Sequence, residues 1–125
     1  MKRGNHLPGN GRLLQMVGLA HSLVGATIYR DELRMIGRDG VAAAIPYRGP
    51  KATAFWFLLP SALIWIIGQL LNAAEEAGDA RAVRSASRLG LASAIVATIC
   101  IPVSGFWAWL FISLRGLREA RRMES

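Results

Sequence analysis

The chain has 125 residues, 53% of them hydrophobic, and a positive mean hydropathy of +0.32. A chain of this length has room for one domain, residues 1–125, and its composition is that of a small membrane protein rather than of a water-soluble one. The net charge of +7 would suit a nucleic-acid-binding protein, but the basic residues lie in short clusters at the ends of apolar segments. We therefore expect no nucleic-acid partner, and the single cysteine excludes a disulfide within the chain.

The first apolar segment, about residues 13–29, follows a basic, glycine-rich start and is predicted to be a membrane-spanning helix. Gln15 and His21 interrupt its apolar run and no clear cleavage site follows it, so we expect a span rather than a cleaved signal peptide. The next segment, about residues 32–45, is too short and too charged to cross a membrane. Its weak amphipathic pattern predicts an interfacial helix or an irregular loop.

The second span, about residues 52–72, contains no ionisable side chain. About 20 apolar residues in a helix cross the hydrocarbon of a bilayer, and every backbone amide inside it must be bonded within the helix. This segment is therefore the strongest indication of an integral membrane protein. Pro60 lies within it and is expected to kink the helix.

The last apolar stretch can be read in two ways. It is either one long helix kinked at Pro102, which gives three spans, or two helices at about residues 83–101 and 104–120, which gives four. With four spans, Lys and Arg number ten on the side of both termini and five on the other, whereas three spans give six against nine. The larger asymmetry favours an all-α bundle of four transmembrane helices in the cell membrane, with both termini cytoplasmic.

Small and polar residues follow one face of the first two spans at helical spacing. On the first span the face is Gly11, Gln15, Gly18, Ser22, Gly25, Tyr29 and Glu32, and on the second it is Phe57, Ser61, Trp65, Gly68, Asn72 and Glu75. Such faces allow close helix packing in lipid. They would equally line a cavity, and the sequence leaves both interpretations open.

Carboxylates and aromatic rings gather at one end of the predicted bundle. A carboxylic acid at the edge of an apolar cavity tends to keep its proton, and aromatic faces stabilise positive charge, which together suit protonation of an alkene or epoxide. The alternative is a purely structural role, in which the acids pair with nearby arginines and the rings form an interfacial belt. No metal site is predicted. The candidate residues are the proton donors Glu32 and Asp31, a second acid or base His21, and the lining side chains Tyr29, Trp56, Trp65, Trp107 and Gln69.

The segments GRLLQMVGLAHSLVG, YRDELRMIGRDGV, ATAFWFLLPSALIWIIG and PVSGFWAWL resemble a family of small actinobacterial membrane proteins of unknown function. In size and span pattern the chain also resembles, more distantly, the small membrane terpene cyclases of bacterial indole-sesquiterpenoid pathways. That resemblance implies protonation-initiated cyclisation of a prenylated indole or related terpenoid, without a metal or other cofactor. No catalytic motif matches residue by residue, so the resemblance does not assign the acid.

These patterns predict a membrane protein that binds a lipophilic isoprenoid between its helices, with or without cyclising it. The alternative is a non-catalytic protein that binds lipid or assembles with another membrane protein. The expected partners are a lipophilic small molecule, membrane lipids and a second copy of the chain in a homo-oligomer. The sequence leaves open whether the protein is an enzyme.

Overall fold

The computed structural model describes residues 8–42 and 45–125. In these residues it contains five helices and no strand, which confirms the expected all-α class. The helices are α1 (Asn10–Ile28), α2 (Arg30–Asp39), α3 (Pro50–Glu76), α4 (Ala80–Cys100) and α5 (Phe106–Glu124).

The four long helices run alternately up and down and form a ring in the order α1, α3, α4, α5. Helix α1 packs most extensively against α3, and α4 against α5, while the contacts of α1 with α5 and of α3 with α4 are sparser. The bundle is thus two tight helix pairs joined side by side. We call the end that carries α2 the α2 end, and the end that carries Asn10 and Glu124 the terminal end.

The last apolar stretch folds as two helices rather than as one kinked helix. Helix α4 ends at Cys100, and Pro102 follows in the turn, where it supplies no backbone N–H to continue the helix. The indole N–H of Trp107 donates to the Pro102 carbonyl oxygen at 2.9 Å and closes the turn. Of the two alternatives that the sequence left open, the structure therefore has the two-helix arrangement.

By length and composition, α3 and α4 are the helices among the described residues that could cross a membrane. Four such helices were expected, and two of the described helices have the required length and composition. Helix α5 is not apolar enough over its full length because its second half carries four arginines. Helix α1 has a shorter apolar segment because Arg12, Gln15 and His21 interrupt it.

Large apolar side chains lie mainly outside the bundle, and small ones lie inside it. The interior contains two small clusters, Leu14 with Ile64 and Ile112, and Leu71 with Val83 and Ala120. Most other buried positions are glycine, alanine, serine or threonine. This distribution is the reverse of the one that water imposes on a globular protein.

Helix α2 covers the first part of the segment predicted to be an interfacial helix or an irregular loop. It begins at Arg30, ends at Asp39 before Gly40 with φ of 87°, and buries none of its residues. The ammonium of Lys51 on α3 pairs with the Asp39 carboxylate and ties the end of α2 to the bundle. Residues 43 and 44 of the predicted segment lie outside the described residues.

Candidate functional site

The polar faces predicted on the first two spans pack against each other. A Cβ atom added at Gly68 would lie 2.8 Å from the Gly11 carbonyl oxygen, and one added at Gly18 would lie 3.1 Å from the Ser61 carbonyl oxygen. At Gly25 an added Cβ would lie 2.9 Å from the ring of Phe57. The small residues therefore let the two backbones touch. Of the two interpretations of these faces, the structure shows close packing, with no room for a ligand between the glycines.

His21 links α1 to α3 inside this interface. Its Nε2 lies 2.9 Å from the Phe57 carbonyl oxygen, and its ring stacks on the Phe57 ring with centroids 4.3 Å apart. Because a carbonyl oxygen only accepts hydrogen bonds, Nε2 carries a proton in this geometry. The imidazole is half-buried and has a structural partner on the neighbouring helix.

An open aromatic cleft lies at the α2 end. It has a volume of about 520 Å³, and its lining includes Tyr29, Tyr47, Arg48, Trp56 and Phe57. The Tyr29 and Phe57 rings are tilted by 53° with centroids 5.2 Å apart. Two of the predicted lining residues, Tyr29 and Trp56, are therefore brought together here.

The predicted acids lie beside this cleft but do not line it. The Asp31 side chain is 87% exposed and pairs with the Arg34 guanidinium at 3.7 Å. Glu32 is half-buried in the first turn of α2. The structure places both carboxylates at the correct end of the bundle, on a helix that faces outward, and not among the aromatic rings.

The other predicted lining residues lie outside the aromatic cleft. Trp65 and Gln69 are exposed on α3, and Trp107 is exposed at the start of α5, where its indole bonds to Pro102. None of these three residues lines the aromatic cleft. The site predicted from the sequence is therefore divided between the α2 end and the outer surface.

A second cleft, which we call the seam, lies between the two helix pairs and was not predicted. It is a mostly apolar cavity of about 390 Å³ to which all four long helices contribute. Leu14, Leu71, Trp109 and Ile112 supply apolar walls. The seam opens outward between α3 and α4, where Ile67 is 39% and Leu89 is 69% exposed.

The lining of the seam includes three serines, which form its polar part. These are Ser87, Ser93 and Ser113. Gly90 and Gly116 bring α4 and α5 together here, because a Cβ at Gly90 would lie 2.7 Å from the Ser113 hydroxyl and one at Gly116 would collide with the Ser87 hydroxyl. Ser87 with Gly90 on α4, and Ser113 with Gly116 on α5, repeat the small-residue spacing seen on α1. That spacing was the signal in the sequence that could have located the seam.

At the terminal end, Glu75 caps the first turn of α1. Its carboxylate accepts hydrogen bonds from the backbone N–H of Asn10 at 2.9 Å, the side-chain amide of Asn10 at 2.7 Å and the backbone N–H of Gly11 at 3.1 Å. A carboxylate here compensates both the unpaired N–H groups and the positive end of the helix dipole. Glu75 belongs to the polar face predicted on the second span, but its capping role was not predicted.

In residues 8–42 and 45–125, no group of three or more His, Cys, Asp or Glu side chains could hold a metal ion.

No curated protein and no solved structure matches the chain. The sequence profile of the family of unknown function DUF6463 matches residues 6–123, which is nearly the whole chain. The expected membership in a family of unknown function is thereby confirmed, while the likeness to membrane terpene cyclases stays a prediction. The chain belongs to DUF6463, a family of unknown function.

Proposed function

We propose that this chain is a multi-pass membrane protein that holds a lipophilic small molecule in the seam between its two helix pairs. The observation that carries the proposal is the seam itself, a mostly apolar cavity of about 390 Å³ lined by all four long helices. Small-molecule sites are typically cavities of roughly 300–1,000 Å³ with apolar walls and a few polar groups. The seam fits that description in size and in chemistry.

The outward faces of the bundle support a membrane location. In the most apolar windows of α3 and α4, only 28% and 22% of the residues are buried, whereas the core helices of a water-soluble protein are mostly buried. Helix α1 also presents Met16, Leu19 and Leu23 to the outside, each more than half exposed. Contiguous apolar surface of this kind is covered by lipid or by another protein.

All four long helices are proposed to cross, with both termini in the cytoplasm. Helix α5 presents Phe111 and Leu114 outward in its first half, and its arginines at the terminal end have long side chains that reach the headgroups. Among the Lys and Arg residues that the structure describes, eight lie towards the terminal end and five lie at the α2 end. This excess follows the positive-inside rule.

The ligand is proposed to enter from the bilayer and to carry one polar group. Because the seam opens between Ile67 and Leu89, which are exposed to the surroundings of the bundle, lipid-soluble molecules have direct access to it. The hydroxyls of Ser87, Ser93 and Ser113 offer hydrogen bonds to an alcohol or an indole N–H. An isoprenoid alcohol or a prenylated aromatic compound has this combination.

Photocrosslinking with a farnesyl alcohol that bears a diazirine tests the proposal. We expect labelled peptides from α3, α4 and α5 that border the seam, and loss of the labelling in Ser93→Phe, whose ring would fill it. Ala92→Phe is the matched control, because Ala92 is an exposed neighbour that does not line the seam. Equal labelling of both variants, or none in folded wild-type protein, would shift the role to assembly with another membrane protein.

A second candidate function is acid-initiated cyclisation of an isoprenoid compound in the aromatic cleft. Tyr29, Trp56 and Phe57 offer ring faces to a carbocation, and the half-buried Glu32 on α2 lies at the same end as a proton donor. Protonation of an alkene or epoxide followed by loss of a proton gives a product of unchanged mass. Membranes incubated with farnesylated aromatic compounds and their epoxides should then yield cyclic isomers, and Glu32→Gln should abolish them while Asp31→Asn leaves them.

A further inference from the structure

A third cavity, which we call the basic basin, lies at the terminal end. It has a volume of about 530 Å³ and lies between the start of α1, the end of α3 and the last turns of α5. Its lining includes Asn10, Glu75, Arg118, Glu119 and Arg122, together with Arg115. None of these residues lines the seam, so the basin is a separate site.

The basin has a small net positive charge, since its lining contains three arginines and two glutamates. Arg118 and Arg122 are four residues apart on α5 and so lie on one face, where two like charges repel each other. Among the described residues, neither guanidinium forms an ion pair. Glu75 already accepts three hydrogen bonds from the start of α1, which leaves Glu119 as the other carboxylate of the lining. An anion between the two arginines would relieve their repulsion.

The Asn10 side chain adds an unmet hydrogen-bond acceptor. Asn10 is only 1% exposed, and its amide nitrogen donates to Glu75 at 2.7 Å. Its Oδ1 atom is buried and has no hydrogen-bond partner among the described residues. A buried carbonyl oxygen without a donor is costly, so this atom favours a ligand that brings a hydroxyl group.

We propose that the basic basin binds a glycerophosphate group, with the phosphate held by Arg118 and Arg122 and a glycerol hydroxyl donating to Oδ1 of Asn10. Arginine suits phosphate because its planar guanidinium can donate two parallel hydrogen bonds to phosphate oxygens. The same chemistry occurs in the headgroup of phosphatidylglycerol and in free glycerol 3-phosphate. The site lies where the headgroups of a surrounding bilayer would be, beside the apolar first half of α5.

Binding to the detergent-purified full chain tests the proposal, measured by native mass spectrometry and calorimetry. The probes are dioctanoyl phosphatidylglycerol, dioctanoyl phosphatidylcholine and glycerol 3-phosphate. The double variant Arg118→Gln/Arg122→Gln should bind the phosphatidylglycerol roughly tenfold more weakly or worse, because two charge-assisted contacts are lost. The control Arg81→Gln/Arg121→Gln removes the same charge from exposed positions at the same end that do not line the basin, and should bind as wild type does.

The binding results distinguish a lipid headgroup site, a site for a soluble ligand and diffuse electrostatic attraction. Tighter binding of phosphatidylglycerol than of phosphatidylcholine, lost only in the basin variant, identifies a lipid headgroup site, and the same pattern with glycerol 3-phosphate identifies a soluble ligand. Equal weakening in both double variants, or no preference for either glycerophosphate compound, overturns the proposal, because the attraction is then diffuse. Circular dichroism checks that the variants fold, and the single variant Arg118→Gln replaces the double one if it does not.

Discussion

Helix α3 has two faces that meet the rest of the bundle in opposite ways. One face carries Ser61 and Gly68 and touches the α1 backbone, whereas the other carries Ile67 and Leu71 and borders the open seam. Both faces lie within the same apolar helix, so the hydrophobicity of the helix as a whole does not explain the difference. The size of the side chain does, because glycine and serine let backbones meet while large side chains hold helices apart and leave space.

Overfilling the closed face should have the largest effect. In Gly68→Leu, the new Cβ would lie 2.8 Å from the Gly11 carbonyl oxygen and from the Gln15 side chain, so the helices must separate. We expect a loss of about 3 kcal/mol or more in the free energy of unfolding, at the upper end of overpacking effects. Denaturant titration of the purified protein measures it. Gly37→Ala is the control, because nothing lies within 4 Å of a Cβ there, and equal destabilisation of the control would refute the packing account.

Removing the charge from the α1 cap should have the next largest effect. In Glu75→Gln, the amide nitrogen replaces an oxygen that accepts hydrogen bonds from α1, and the favourable charge at the start of the helix is lost. We expect about 2 kcal/mol of destabilisation, since hydrogen bonds to charged groups are the stronger ones. Thermal unfolding followed by circular dichroism measures it, with Glu76→Gln as the exposed neighbour for comparison. If the cap contributed nothing to stability, Glu75→Gln and Glu76→Gln would have the same melting temperature.

Loss of the His21 hydrogen bond should cost less. His21→Phe keeps a ring that can stack on Phe57 and removes the donor to the Phe57 carbonyl oxygen. We expect about 1 kcal/mol of destabilisation, the usual net value for one hydrogen bond. The paired control is Ser22→Ala, which loses a hydroxyl bonded within its own helix to Gly18. A wild-type melting temperature for His21→Phe, combined with a loss of function, would instead give the imidazole a chemical role.

Filling the seam should have the smallest effect on stability. Ser93→Leu places a larger side chain in an open cavity, so the change in the free energy of unfolding should stay within about 0.5 kcal/mol. The same denaturant titration measures it beside Gly68→Leu. Destabilisation as large as that of Gly68→Leu would mean that the seam is closed in the membrane and that the contrast between the two faces of α3 is wrong.

Local features were readable from the sequence because helical periodicity fixes which residues share a face. The spacing of Gly11, Gly18 and Gly25 predicted one face of α1, and Pro102 marked a break in the last apolar stretch that proved to be a turn. The gathering of Tyr29 and Trp56 at one end followed from two antiparallel neighbours joined by a connection at that end. These predictions needed only the helix repeat and the order of the segments.

The placement of the acids was not readable. Asp31 and Glu32 lie two and three residues after Tyr29, yet the chain passes from α1 to α2 at this tyrosine and the two carboxylates then lie on a separate helix. Trp65 and Trp107 have the aromatic character expected of a lining, but their faces point away from the aromatic cleft. The residue types on a helix face do not show which way that face points unless the neighbouring helix is known.

The sequence by itself determined the all-α class, the small-residue faces and the clusters of basic residues at the ends of apolar segments, since all three depend on residues close together in the chain. Only the tertiary structure decided that Glu75 caps a helix that begins 65 residues earlier, and that four helices leave a seam between them. The physical reason is that a cap or a cavity depends on distances between elements, and these are set by how side-chain sizes match across each interface.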